Sequence, residues 1–144
     1  MPDTEYSENS QAIQSHLSIT QSVIQRMASN SASCKAWCIT LVSAVLVIVA
    51  DKGKPQYAML AFLPTALFLT LDTYYLALGR MFIKSYNIFI DKLHAGKIKS
   101  SDLYVIKPSG NIIRNFFLAL TSFSIWPFYI TLTLLIVIAK KIVF

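Results

Sequence analysis

Charge is scarce in this sequence. Of its 144 residues, 14% are charged and 55% are apolar, and the mean hydropathy is +0.55. Soluble domains carry roughly 25% charged residues, so much of this chain has no need of water. The four glycines are scattered, which excludes a glycine-rich loop for cradling phosphates. Cys34 and Cys38 stand four apart, a spacing on a helix that suits no mutual disulfide. No Cys/His set has metal-ligand spacing, and both cysteines read as reduced, small apolar residues. His16 and His94 are isolated and read as surface or packing histidines. Neither a Ser-His-Asp or Cys-His arrangement nor a carboxylate pair for acid–base work is present. The inventory argues against an enzyme, and no metal or cofactor is expected. The N-terminal stretch MPDTEYSENSQ is acidic and polar. It lacks a basic segment followed by an apolar one, so no cleavable signal peptide is expected and insertion would fall to internal segments.

What the chain does have is long apolar runs. Ala36 to Ala50 is unbroken by charge, and extending it back to Ser31 gives a first span over residues 31–50, with Lys35 snorkelling to the headgroups. It stops at Asp51-Lys52-Gly53-Lys54-Pro55, a tight turn that makes the next span antiparallel. A second span over residues 57–79 contains Pro64, expected to kink it. A third, over residues 116–139, contains Pro127 near its centre and is expected to bend there. Trp126 is out of place in mid-membrane, since Trp favours the interface. Either it packs between helices, or the span starts nearer Ser122 and runs past Lys140-Lys141.

Three flanking segments complete the layout. Residues 1–10 are expected to be a disordered acidic N-terminus. Over residues 11–30, Ile13, Leu17, Thr20, Ile24 and Met27 form a helical stripe that predicts an amphipathic helix. Ser29-Asn30-Ser31 lets this helix run directly into the first span. Residues 80–114 form a basic segment. Its first part puts Phe82, Tyr86, Phe89, Ile90 and Leu93 on one stripe, continuing the second span until Gly96 ends it. Ser101-Asp102 suits a short helical turn, and Pro108 to Asn111 a loop. The expected fold is therefore all-α and integral to a membrane, with three transmembrane helices, an amphipathic N-terminal helix and a helical cytoplasmic extension of the second span.

Charge sets the orientation. Residues 80–114 hold seven basic residues against Asp91 and Asp102, a net +5 of the chain's +6. Basic loops stay in the cytoplasm, which puts the N-terminus inside and, with three spans, the C-terminus outside.

Two features carry candidate chemistry. Asp72 is the one acid inside an apolar run. A carboxylate there costs roughly 2.5–3.5 kcal/mol on insertion scales, which makes a functional role the default reading. Thr73, Tyr74 and Tyr75 adjoin it as candidate donors, and a pore-lining or gating role for Asp72, Tyr74 and Tyr75 fits better than a proton relay. The plainer reading is a structural acid bonded to a neighbouring helix or reaching interfacial water. The basic segment interleaves Lys92, Lys97, Lys99, Lys107 and Arg114 with Tyr86 and Tyr104. Cations mixed with aromatics suit single-stranded nucleic acid. The plainer reading is an ordinary basic cytoplasmic loop whose aromatics are core.

Several stretches resemble a family of small bacterial multi-pass membrane proteins of anti-phage defence systems. They are Arg26-Met27-Ala28-Ser29-Asn30-Ser31 before the first span, Leu71-Asp72-Thr73-Tyr74-Tyr75-Leu76 in the second, and SFSIWPFYITL near the end. Size and layout are similar to the transmembrane effector of the Hailong system. Where that family has acidic residues after the second span, this chain has Leu78-Gly79-Arg80. The resemblance implies a bacterial inner-membrane channel that assembles as a homo-oligomer and is controlled by an oligonucleotide from a partner nucleotidyltransferase. It makes the basic segment the ligand-reading surface and gives Asp72 a place in an oligomeric pore. A non-conducting membrane scaffold that recruits a cytoplasmic partner is the alternative.

Overall fold

The computed structural model describes residues 6–142. Its architecture is all-helical, with no strand among the described residues. The first helix, α1, runs unbroken from Gln11 to Lys52. The amphipathic segment and the first apolar run are thus one element of 42 residues, about 63 Å long. Ser10 caps it by accepting from the Ile13 amide at 3.4 Å. Gly53, at φ 58°, closes the other end with its amide on the Ala50 carbonyl, a left-handed cap that favours glycine. Of the N-terminal segment expected to be disordered, residues 6–10 form a turn closed by Ser10 N–H on the Ser7 carbonyl. Residues 1–5 lie outside the described part, as do 143 and 144.

After the turn, Pro55–Ala61 forms a 3-10 helix and α2 follows over Phe62–His94. Pro64 therefore falls in the first turn of α2, directly after the 3-10 helix that leads into it. An N–H this early in an α-helix has no α-helical partner, so the proline is accommodated at the junction of the 3-10 helix and α2. Helix α2 ends as its sequence suggests, at Gly96 with φ 63°. The elements Gln11–Lys52 and Pro55–His94 are both long and apolar enough to cross a membrane. Both also outrun a hydrocarbon core of about 30 Å.

The third apolar run differs from the single bent helix expected over 116–139. It is broken into α3, Ile112–Leu120, and α4, Trp126–Ile142. Pro127 explains the break. A helix continuing through residues 121–126 would bury its ring against the preceding turn, whereas a fresh start at Trp126 puts it in the first turn, where proline is favoured. Helix α4 runs past Lys140 and Lys141, so the later of the two sequence-based starts matches the structure, and Trp126 is half-exposed at the helix end.

Helices α1 and α2 form a long antiparallel hairpin. Ile13 packs with Phe89 and Leu93 at one end, and Cys38 lies beside the Pro64 carbonyl toward the other. Helix α4 joins only the turn-proximal half. There Cys38, Val42, Ala61, Ile125, Tyr129, Leu132 and Ile136 make a shared core. Lys140 and Lys141 come to the end of the bundle that holds Ala58, Met59 and Phe62.

The exposed surface changes character along this hairpin. In the half joined by α4, Trp37, Val47, Ile48, Leu63, Leu67 and Leu134 are all exposed. In the far half, the exposed positions of α1 are mostly polar, among them Gln14, Ser18, Gln21, Ser22, Gln25 and Arg26 beside Ile19, and those of α2 include Lys84, Asn87, Asp91 and Lys92 beside Ile83 and Ile88.

Candidate functional site

Asp72 sits in the middle of α2, fully buried where α1, α2 and α4 meet. Its carboxylate meets donors from both other helices. From α1, Ser31 Oγ donates to Oδ1, and Lys35 Nζ lies 2.5 Å from Oδ2. From α4, Tyr129 Oη donates to Oδ2 at 3.1 Å. Ser31 and Lys35 are one turn apart on α1, with Lys35 Nζ 3.5 Å from Ser31 Oγ, so the two reach one acid from one helix face. Buried charge is tolerated only when paired and hydrogen-bonded. Here the pairing is complete within one chain.

The neighbours expected to serve Asp72 do not do so. Thr73 Oγ1 donates to the Leu69 carbonyl of its own helix at 2.7 Å. Tyr74 is exposed and packs edge-on against Tyr75, their ring centroids 5.9 Å apart. The reason is helical geometry, since residues one and two positions on are turned away from the Asp72 face. Tyr75, three positions on, lines a cleft with Ser31 and Lys35. The donors that matter, Ser31, Lys35 and Tyr129, were missed as a set. One signal was available. Lys35 is the only cation and Asp72 the only acid in the apolar runs of the first two spans, and isolated intramembrane charges of opposite sign pair with one another.

Arg80, one helical stretch further along α2, holds the break before α4. It donates to the Leu118 carbonyl at 3.3 Å and to Ser122 Oγ at 2.8 Å. A guanidinium at the C-terminal end of α3 satisfies a carbonyl that the helix leaves open and suits its dipole.

The basic segment folds back on the polar half of the hairpin. Lys92 pairs with Asp102 at 3.1 Å, and Asp102 Oδ2 also accepts the Lys99 amide at 3.1 Å. That amide, followed by Lys92, holds the Asp102 carboxyl below the usual carboxylate range. Ser85 Oγ donates to the Lys107 carbonyl at 2.6 Å. Lys92 and Lys107 thereby line one cleft of about 150 Å³ with Ser85, Ser101 and Asp102. Lys97 and Lys99 are exposed in the adjoining turn. Tyr104 is exposed, with φ 61°. Tyr86 lies elsewhere, its hydroxyl accepting from Gln21 Nε2 at 3.3 Å. Arg114 is exposed in the first turn of α3, where its amide donates to the capping Asn111 side chain. The structure thus brings Lys92 and Lys107 together but leaves Tyr86 and Arg114 apart from that cleft.

His16 organises this end. It is buried, stacks on Phe89 with centroids 4.0 Å apart, and its Nδ1 accepts the Tyr104 amide at 2.9 Å. It is thus a packing histidine whose Nδ1 must be unprotonated. Burial pushes its pKa below the ordinary 6.5, and nearby Asp102 opposes that shift. Because the folded value is depressed, the unfolded chain binds the proton more readily, and stability rises with pH. The contribution is complete above about pH 6.5 and is lost as pH falls from there through the lower folded value. His16→Asn keeps an acceptor without the titration. The wild-type melting temperature is expected to fall between about pH 7 and about pH 5 more than that of the variant. Parallel curves would remove His16 as the cause.

Comparison with known protein families, curated proteins and solved structures finds no match to this chain.

Proposed function

We propose that the protein is a bacterial inner-membrane effector with three spans, contributed by α1, α2 and α4. Its N-terminus and residues 80–114 face the cytoplasm, and its C-terminus lies outside. The observation that supports this reading most is the change of exposed surface along the hairpin. Large apolar side chains dominate the outward surface in the half that α4 joins, whereas polar ones outnumber the exposed Ile19, Ile83 and Ile88 in the half beyond it. Lipid suits the first and water the second. The 17 residues of α4 reach about 25 Å, the low end for a crossing. Nine of the thirteen basic residues fall on the N-terminal side of this arrangement, in keeping with the inward bias of basic residues.

The effector acts as a homo-oligomer that conducts ions and is controlled from the cytoplasm by a single-stranded oligonucleotide supplied by a partner nucleotidyltransferase, in anti-phage defence. This part rests on the family resemblance. The space between α1, α2 and α4 is filled by core side chains, so a water path would run between copies. Asp72 then acts as a gating latch rather than as pore lining, since its carboxylate is turned into the chain. Lys92, Lys97, Lys99 and Lys107 offer the anion a surface at the open end of the hairpin, away from its turn, with Tyr104 exposed beside it for stacking. A second reading, a non-conducting scaffold that is neither channel nor enzyme, is favoured by the complete satisfaction of Asp72 within one chain.

Ion flux from liposomes carrying the purified protein separates the two. Flux that depends on short single-stranded DNA supports the effector. Binding is expected to weaken with salt at a log–log slope near −0.7 per phosphate contacted, and Lys97→Ala/Lys99→Ala/Lys107→Ala to flatten that slope. No flux and no salt-dependent binding would leave the scaffold.

A further inference from the structure

A cleft of about 400 Å³ opens on the hairpin beside the Asp72 pair. Its walls are largely apolar, with Ile24, Met27, Leu76 and Ile83 among them, and it holds two cations, Lys35 and Arg80. Lys35 reaches the cleft from the Asp72 side, where it pairs with that carboxylate. Arg80 is exposed and uses two of its five N–H donors on Leu118 and Ser122. Gly79 contributes to the floor, and a Cβ built there would come 3.4 Å from Met27 Cβ. Position 79 is thus where α1 and α2 approach closely on the floor of the cleft, with no room beyond a Cβ toward Met27. The cleft also straddles the level at which the exposed surface passes from apolar to polar. Ser31 and Lys35 of α1 lie at its deeper end, and Arg80 and Ile83 of α2 at the polar end.

We infer that this cleft binds an anionic phospholipid from the cytoplasmic leaflet. Its phosphate is held between Arg80 and Lys35, and an acyl chain lies along the apolar wall. A free anion would need the cations but not the wall, and a zwitterionic lipid brings its own ammonium to offset its phosphate and so gains less from the cations. Only an anionic amphiphile uses both wall and cations in full, and the position at the surface boundary is where its headgroup lies. The inference rests on the membrane reading above. It adds to that reading a control on the latch, because a phosphate in the cleft competes with Asp72 for Lys35.

Native mass spectrometry of the detergent-purified protein, titrated with phosphatidylglycerol, phosphatidylcholine or inorganic phosphate, tests this. Phosphatidylglycerol is expected to bind about fivefold more tightly per engaged cation than phosphatidylcholine, with inorganic phosphate failing to displace it. Arg80→Gln is expected to reduce that preference by about fivefold. Ala28→Leu, at an exposed position that lines the cleft, keeps both cations and is expected to reduce binding of both lipids. Equal binding of the two lipids, displacement by inorganic phosphate, or full binding by Ala28→Leu would overturn the site. Carbonate extraction of cell membranes separates the two failures. A protein that stays in the membrane but shows no lipid preference loses only this site, whereas one that is extracted loses the membrane reading too.

Discussion

Asp72→Ala is expected to cost about 3–5 kcal/mol of stability, the range for breaking a buried ion pair by deleting one partner. The side chain is fully buried, and its loss strands Lys35, Ser31 and Tyr129 at once. Lys35 keeps 21% of its side-chain surface exposed and recovers some hydration, which places the effect toward the lower end. Even so, a domain holds only about 5–15 kcal/mol in total. Because one carboxylate ties α1 and α4 to α2, its removal should loosen α4 first. Thermal unfolding in detergent measures the loss, and cysteine labelling along α4 locates it. Replacing the pair together, as Lys35→Met with Asp72→Leu, should recover most of the stability, since well-packed apolar residues often equal a buried ion pair. On the effector reading, Asp72→Ala also abolishes conductance while the protein still inserts. A loss below about 1 kcal/mol would show that the three donors do not hold the bundle.

Ile13→Asp is expected to have a comparably large but local effect. Ile13 is completely buried against Phe89 and Leu93, with Leu17, Ile98 and Leu103 around it. A carboxylate there has no paired cation in that cluster and would be desolvated on all sides, a penalty of several kcal/mol. The cluster is separate from the three-helix core, so the polar end of the hairpin should open without unfolding the rest. Hydrogen exchange should accelerate in residues 11–20 and 89–107, with residues 36–50 and 126–140 unchanged. The first part of the stripe, Ile13 and Leu17, thus finds its partner within the chain, on the extension of α2, while Ile24 and Met27 line the open cleft. Dissociation of an oligomer by this substitution, with the hairpin still closed, would place the stripe at an interface between copies instead.

Much of this architecture is visible in local sequence, because local rules govern it. The apolar runs, the turn at Gly53 and the end of α2 at Gly96 follow from composition and from the left-handed preference of glycine. The helical stripes on 11–30 and 80–95 follow from period alone. Proline was harder to place. Pro64 and Pro127 signal a disturbed helix, but a kink and a restart use the same residue, and only the neighbouring turn decides between them. The Asp72 site was half visible. Burial of an acid in an apolar run is a local observation. Its partners lie 41 and 57 positions away in the cases of Ser31 and Tyr129, and no period connects them. His16 stands isolated in the sequence because its partners, Phe89 and the Tyr104 amide, arrive only when the hairpin closes and the loop folds back.

The most direct measurement of the membrane arrangement is a pair of topology reporters, one inserted at Lys99 and one fused to the C-terminus, expressed in bacteria. With α1, α2 and α4 each crossing once, the reporter at Lys99 should be active only as a cytoplasmic fusion and the C-terminal reporter only as an external one. Both reporters on the same side would contradict three crossings.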